Sequence, residues 1–339
     1  MPLRTGLLGY GIAGRVFHAP LIAATPDLEL TAVVTSGPAR RAQAAAEHPD
    51  AELPHTVEDL FGLDLDLIVV ATPNRTHVPL ALAAIEAGLP VVVDKPFAPT
   101  SADARRVLQA ARYRDVPVTV FQNRRWDSDF RTVRSLVADG ALGAVTRFES
   151  RFERWAPDVW DNWRELGAPE EAGGLLYDLG AHLVDQALEL FGPVSAVYAE
   201  LDLRRPGVQV DDDVFVALTH VNGVRSHLWA SSTASHHGPR FRVLGSEAAY
   251  VSEGLDRQEE ALATGKPFDD LSTCGRLGLP DHAEEVVGLP GAYSEFYRLL
   301  VAALRDGSPL PVDPESAVRA LEVIEAAFTS ARTGQVVSL

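Results

Sequence analysis

Cysteine is nearly absent. Cys274 is the only one in 339 residues, so the chain can close no internal disulfide and build no cysteine-based metal cluster. His236 and His237 are adjacent, their side chains diverge along an extended chain, and they lack an obvious third ligand. No metal is expected. Positive charge is also scarce. A net charge of −17 argues against non-specific binding to nucleic acid or to an anionic membrane, although a local basic pocket could still take a phosphorylated cofactor. No apolar run reaches the roughly 18 residues of a membrane span. The N-terminus opens directly into a strand, without the basic and then apolar pattern of a leader. A cytoplasmic location is expected, with neither nucleic-acid nor membrane partners. Lysine is the rarest cation, with only Lys95 and Lys266 beside twenty-eight arginines. Arg stays protonated under ordinary conditions, whereas a Lys ammonium can be tuned by burial and can pass a proton. Lys95 follows the apolar Val91-Val92-Val93-Asp94, at a strand end of the kind where open α/β sheets place their ligands. Lys266, in Thr264-Gly265-Lys266-Pro267, reads as an exposed turn.

At this length two domains are the default. The first third alternates. Strands are predicted over Arg4–Leu8, Leu28–Thr35, Leu65–Ala71, Pro90–Asp94 and Val116–Phe121. Helices are predicted through Ala24 and over Pro38–Glu47, Thr76–Ala87 and Ser101–Arg114, the last capped near Ser101. That rhythm predicts a parallel sheet with right-handed crossovers, a Rossmann domain over residues 1–123. Beyond it Arg125–Asp139 reads as a helix. Longer strands follow at Ala144–Arg154, Val194–Leu203, Val214–Val221, Val224–Ser232 and Arg240–Leu244, with a hairpin turn at Asn222-Gly223. Leu255–Pro290 is polar and rich in Gly and Pro, and reads as a long loop. Helices Tyr293–Arg305 and Pro314–Arg332 close the chain. Residues 124–339 are thus expected to form an α+β domain on a large, mostly antiparallel open sheet. Its free face would serve a homodimer or homotetramer.

Gly9-Tyr10-Gly11-Ile12-Ala13-Gly14 matches Gly-x-Gly-x-x-Gly in the required strand-to-helix context. Gly9 permits the tight turn, Gly11 lets a pyrophosphate approach the backbone, and Gly14 lets the helix pack on the strand. The helix N-terminus then faces the phosphates. The next strand ends at Thr35 and Ser36 with no acid to hold a ribose 2′-hydroxyl. Arg40 and Arg41 follow closely, and Arg pairs with phosphate through two hydrogen bonds. NADP is therefore preferred over NAD, with one of the two arginines expected to serve only the helix surface.

The second dense segment is Gly173 through Asp185. Asp178 and His182 are four apart on a helical face. A carboxylate beside an imidazole orients it and stabilises its charged form, so that His182 can exchange a proton near neutral pH. Asp185 reads as structural.

These residues, with Ala71-Thr72-Pro73-Asn74, His77 and Lys95-Pro96, resemble the Gfo/Idh/MocA oxidoreductases over essentially the whole chain. Phe17-His18-Ala19-Pro20 and Gln122-Asn123-Arg124-Arg125-Trp126-Asp127 look most like the NADP-dependent scyllo-inositol dehydrogenase branch. Where the family commonly has Glu before Lys-Pro, this chain has Asp94. The resemblance implies a hydride-transfer site between two domains, with Lys95, Asp178 and His182 catalytic. It implies that Thr72, Pro73, Asn74, His77, Asp94, Lys95 and Gln122 line the cofactor cleft, that Trp163 and Arg164 lie near the nicotinamide, and that the Lys95–Pro96 peptide is cis. The expected reaction interconverts a secondary alcohol and a ketone on a cyclitol or sugar. The alternatives are reduction of another small carbonyl, such as an anhydro-sugar or nucleotide-linked keto-sugar, and non-catalytic dinucleotide sensing. Trp126, Trp155, Trp160 and Trp163 could form a sugar-stacking wall or could pack in the core.

Overall fold

Five short apolar runs pair side by side in the computed structural model. They are β1 (Leu3–Leu8), β2 (Leu28–Val34), β3 (Leu67–Val70), β4 (Val91–Asp94) and β5 (Val118–Phe121). All pairings are parallel, in the order β2-β1-β3-β4-β5. Such strands are covered on both faces and so read as unbroken apolar sequence. Leu67, Ile68, Val69 and Val70 are all fully buried. The crossover helices include Pro38–Glu47, His77–Glu86 and Ser101–Arg114. The cap of the last is Thr100, whose hydroxyl accepts the Asp103 backbone N–H at 3.1 Å; it is not in the stretch beginning at Ser101. The strand order reverses between β1 and β3, which makes the C-terminal ends of these strands the natural ligand crevice.

The structure describes residues 1–160, 163–167, 171–268 and 271–339, with 163 and 164 described in backbone only. It divides into two compact units. The first comprises Met1–Asn123, Gln258–Asp269 and Ala292–Val318, and the second Arg124–Arg257, Asp270–Gly291 and Arg319–Leu339. The returning helix Ser294–Asp306 completes the core of the first unit. Phe296 stands edge-on to Phe121 with ring centroids 4.8 Å apart.

The second unit is built on nine strands. They are β6 (Val145–Glu153), β7 (Val194–Asp202), β8 (Asp213–His220), β9 (Arg225–Ser231), β10 (Phe241–Gly245), β11 (Ala249–Ser252), β12 (Cys274–Gly278), β13 (Glu284–Val287) and β14 (Val337–Ser338). Their order is β13-β12-β11-β10-β6-β9-β8-β7-β14, antiparallel except for β6 beside β9. β8 alternates strictly, with Val214, Val216 and Leu218 inside and Phe215, Ala217 and Thr219 half-buried on the other face. Gly223 takes a φ of 91° in the β8–β9 hairpin, a value costly for other residues. Two expectations are corrected. Leu255–Pro290 is not a loop, because it supplies helix Gln258–Ala263, strand β12 and the edge strand β13. The helix expected over Arg125–Asp139 runs Ser128–Ala138, after a short 3₁₀ turn at Asn123–Trp126. Among the described residues no helix is long and apolar enough to cross a membrane.

Candidate active site

The turn after β1 is fixed by steric need. Gly9 has a φ of 100°, and a Cβ on it would collide with the Ala71 carbonyl; one on Gly14 would collide with the Gly9 carbonyl. Gly11 is different. The nearest atom to its Cβ position is Arg40 Nη1 at 4.0 Å, so the space above it is open. The helical segment that follows begins with a π-type turn, Ala13–His18, a form often found at functional sites. A helix start leaves backbone N–H groups without intrahelical partners. An open cradle above Gly11 and such donors fit a pyrophosphate. Tyr10 takes no side-chain part, for its ring is buried and its hydroxyl donates to Glu47 at 2.6 Å. Ile12 points to solvent.

At the end of β2, Thr35 is buried and Ser36 exposed. Arg40 and Arg41 divide. Arg41 donates to the carbonyl oxygens of Leu53 and Pro54 and so serves the fold. Arg40 is exposed, makes no ion pair among the described residues, and lies with Nε 3.0 Å from the Cβ position of Gly37, beside the Gly11 cradle.

The loops after β3 and β4 are joined by His77. Its Nε2 lies 2.8 Å from the Thr72 carbonyl oxygen and its Nδ1 2.8 Å from that of Pro96. Its two nitrogens thus face a carbonyl oxygen of each loop, and the neutral imidazole, with one N–H, donates to one of them, which makes His77 a staple between the loops. Burial pushes its pKa below the ordinary value, opposed by the charge of Asp94. Asn74 is buried and Pro73 exposed. The Lys95–Pro96 peptide is cis, as expected. Asp94 accepts the Lys95 backbone N–H at 2.9 Å. The same carboxylate lies 3.7 Å from His18 Nε2, an ion-pair distance, and His18 Nδ1 is 2.6 Å from the Tyr297 hydroxyl. Burial alone would raise the Asp94 pKa; His18, Lys95 and His77 together hold it below the usual carboxylate range. At the end of β5 the buried Gln122 has an Oε1 without a hydrogen-bond partner among the described residues, an acceptor suited to a bound amide or hydroxyl. The site residues of this unit thus surround the C-terminal ends of β1 to β5, and they fit a dinucleotide.

In the second unit one helical segment carries both predicted proton-handling groups. A π-type turn, Leu176–Gly180, holds Asp178 and runs into helix Ala181–Phe191, which holds His182. Its start is capped from far away in sequence. Leu175 N–H donates to the Asp211 carbonyl oxygen at 2.9 Å, and Leu176 N–H to the Asp211 carboxylate at 2.7 Å. Gly174, with a φ of 94°, leaves the room for that carboxylate. Burial pushes Asp211 up to about 6 despite the amides it accepts. His182 is buried, its ring edge-on to Phe152 at 6.4 Å. Asp185 forms a two-pronged pair with Arg125, at 2.8 and 2.7 Å, and is structural as expected. Trp163 and Arg164 open the short helix Trp163–Leu166, but their side chains lie outside the described residues. The tryptophans divide: Trp126 is buried, while Trp155 and Trp160 face solvent.

Sequence reasoning assigned no role to His18, Tyr297 or Asp211. His18 and Tyr297 meet across 279 positions, and Asp211 reaches Leu176 across 35. Local spacing carries no sign of either contact.

Residues 3–122 match the model of an oxidoreductase family with an NAD-binding Rossmann fold, and residues 130–251 that of the GFO/IDH/MocA C-terminal domain. The uncharacterized oxidoreductase YdgJ of Escherichia coli (strain K12) is 41% identical over 97% of this chain and 96% of its own. The scyllo-inositol 2-dehydrogenase (NADP(+)) IolW of Bacillus subtilis is 32% identical over 99% of this chain and 96% of its own. The crystal structure of an oxidoreductase from Bacillus cereus superposes with a TM-score of 0.88 at 27% identity, covering 99% of this chain and 98% of the other.

Proposed function

The chain belongs to the Gfo/Idh/MocA oxidoreductase family, and from that premise we propose that it interconverts a secondary alcohol and a ketone on a cyclitol or sugar ring with NADP(H). The observation that carries this reading is the Asp178–His182 pair, one turn apart on a helix whose start is fixed by Asp211. A nicotinamide cofactor, held by the residues at the C-terminal ends of β1 to β5, would supply hydride transfer to and from the carbinol carbon. In the direction of oxidation His182 takes the hydroxyl proton as general base. Asp178 orients the imidazole and stabilises its charged form. Lys95 serves in this proposal as a further catalytic cation, able to offset negative charge as it develops. Asp94, which faces His18 Nε2 at 3.7 Å, accepts the Lys95 backbone N–H and so sets the backbone there.

Three features support NADP over NAD. The end of β2 has no acid, Arg40 has no ion pair among the described residues and lies beside the Gly11 cradle, and the relative IolW is named for NADP(+). That relative's substrate also makes scyllo-inositol the first compound to try. The test is a spectrophotometric screen of inositols, sugars and keto-sugars with NADP and NAD in parallel. Turnover of a ring polyol with NADP is expected. A clear preference for NAD would overturn the cofactor assignment, and failure of every polyol and sugar would overturn the reaction class.

We further propose a homo-oligomer, dimer or tetramer, formed through the open face of the nine-stranded sheet. On that face Phe215, His227 and Trp229 cluster, with Phe215 and Trp229 ring centroids 5.2 Å apart and the Arg151 guanidinium 3.9 Å over the Trp229 ring. A half-buried aromatic patch of this kind is the usual material of a subunit interface.

A further inference from the structure

Trp155 and Trp160, 58% and 54% exposed, are held very differently. The backbone N–H of Trp160 donates to Glu165 at 2.6 Å. Glu165 pairs with Arg205 at 3.2 Å, and both are buried. Arg205 also pairs with the buried Asp212 at 2.8 Å and donates to the carbonyl oxygens of Ala156 at 3.1 Å and Asp158 at 3.0 Å. One guanidinium therefore ties down both ends of the stretch that presents Trp160. Burying an arginine with two carboxylates is costly unless each is fully paired, and an ordinary surface loop needs no such brace. Here the braced segment presents an indole to solvent.

The direction of that indole follows from strand geometry. Beyond β6 the chain stays extended. Arg154 N–H donates to the Ser231 carbonyl and Ala156 N–H to that of Ser232, both at 2.9 Å, and Trp155 bridges to Thr233. Side chains alternate along an extended chain. Arg154 therefore shares the face of Phe152, whose ring is beside His182, while Trp155 takes the opposite face. The Arg154 guanidinium lies 5.2 Å over the Trp160 ring, with its Nε 3.4 Å from Ser232 Oγ. No carboxylate answers it among the described residues. Two residues of strand separate Arg154 from Phe152, roughly 7 Å.

We propose that Arg154 and Trp160 form the wall that holds the substrate ring on the His182 side of the second unit. The indole packs against the C–H face of a six-membered polyol or sugar ring, and the guanidinium donates to its hydroxyls. This rests on the polyol reading above and adds the residues that grip the ring. It separates Trp160 from Trp155, which the sequence cannot do.

The test uses the NADP-loaded full-length protein with scyllo-inositol, myo-inositol and D-glucose as probes. W160A and R154Q should raise KM about tenfold or more while kcat stays within about threefold, since a lost stacking or hydroxyl contact weakens binding without touching proton transfer. W160F should recover most of the affinity, and W155A should behave as wild type. Quenching of tryptophan fluorescence by the probe should persist in W155A and vanish in W160A. An unchanged KM in W160A, or equal losses in W155A and W160A, would overturn the wall while leaving the reaction standing. If the wild type turns over none of these or any other polyol or sugar, the reaction class falls and the wall with it.

Discussion

The carbonyl oxygen of Gly9 occupies the space that a Cβ on Gly14 would need. Gly9 and Gly14, two positions before and three positions after Gly11, thus serve packing, while Gly11 serves an open space. Their substitution should separate these roles. Gly14→Ala should destabilise the fold by about 1–3 kcal/mol, the usual range for forced overpacking. Gly11→Ala should leave thermal stability near wild type and weaken NADP binding by calorimetry. Equal stability losses in the two variants would contradict this division.

Lys95→Ala and Lys95→Arg should both lower kcat by ~10²- to 10⁴-fold, as should His182→Ala, the range for removing a group that handles charge or a proton in the transition state. NADP affinity, read by fluorescence titration, should change far less. Near-normal turnover in either Lys95 variant would remove the role assigned to its ammonium.

Arg40→Ala should shift the ratio of kcat/KM for NADP to that for NAD by about tenfold or more, as expected for a lost charge-assisted phosphate contact. Arg41→Ala, which strips donors from the carbonyls of Leu53 and Pro54, should lower the melting temperature and leave the ratio alone.

The buried Asp211 gives stability a defined pH dependence. Its folded pKa is raised from 3.8 to about 6, so the folded state binds the proton more tightly than the unfolded state. Its contribution is most favourable below about pH 4, falls as pH rises to about 6, and is constant above. The span is about 3 kcal/mol. Asp211→Asn keeps an acceptor for Leu176 N–H and cannot titrate. Urea unfolding should show the stability of wild type relative to Asp211→Asn declining between pH 4 and 6.5, and a flat difference would refute the assignment.

Trp229→Glu should disperse the proposed oligomer, read as a fall in mass by light scattering. The variant's monomer should keep its far-ultraviolet circular dichroism, because Trp229 lies on the open face of the sheet and not in the core.

Much of the first unit was legible because buried parallel strands such as Val91–Asp94 are continuous apolar runs and their helices end at glycines such as Gly88. The cradle was legible for the same local reason. The strands β12 and β13 were not. As short strands carrying Arg276, Glu284 and Glu285 they have little apolar patterning to show, and on β13, the edge strand, charge resists unwanted pairing. Tyr10 and His77 were legible as site residues in the backbone sense only, because Glu47, Thr72 and Pro96 claim their polar atoms. Arg205 looked like one arginine among twenty-eight; its brace joins Asp212, Glu165 and two carbonyls that no short window contains.

Phe121 closes the parallel sheet against Phe296, and Thr119 donates to the Val312 carbonyl at 2.8 Å. A ribosome that has released residue 123 has therefore delivered all five strands but not the Phe296 ring that covers the last one. That ring emerges only after β6 to β13, eight of the nine strands of the second sheet, have been synthesised. The nascent dinucleotide unit must wait for its own closing helix, and a gene cut after residue 123 would leave Phe121 with the His18 ring but without those of Phe296 and Tyr297.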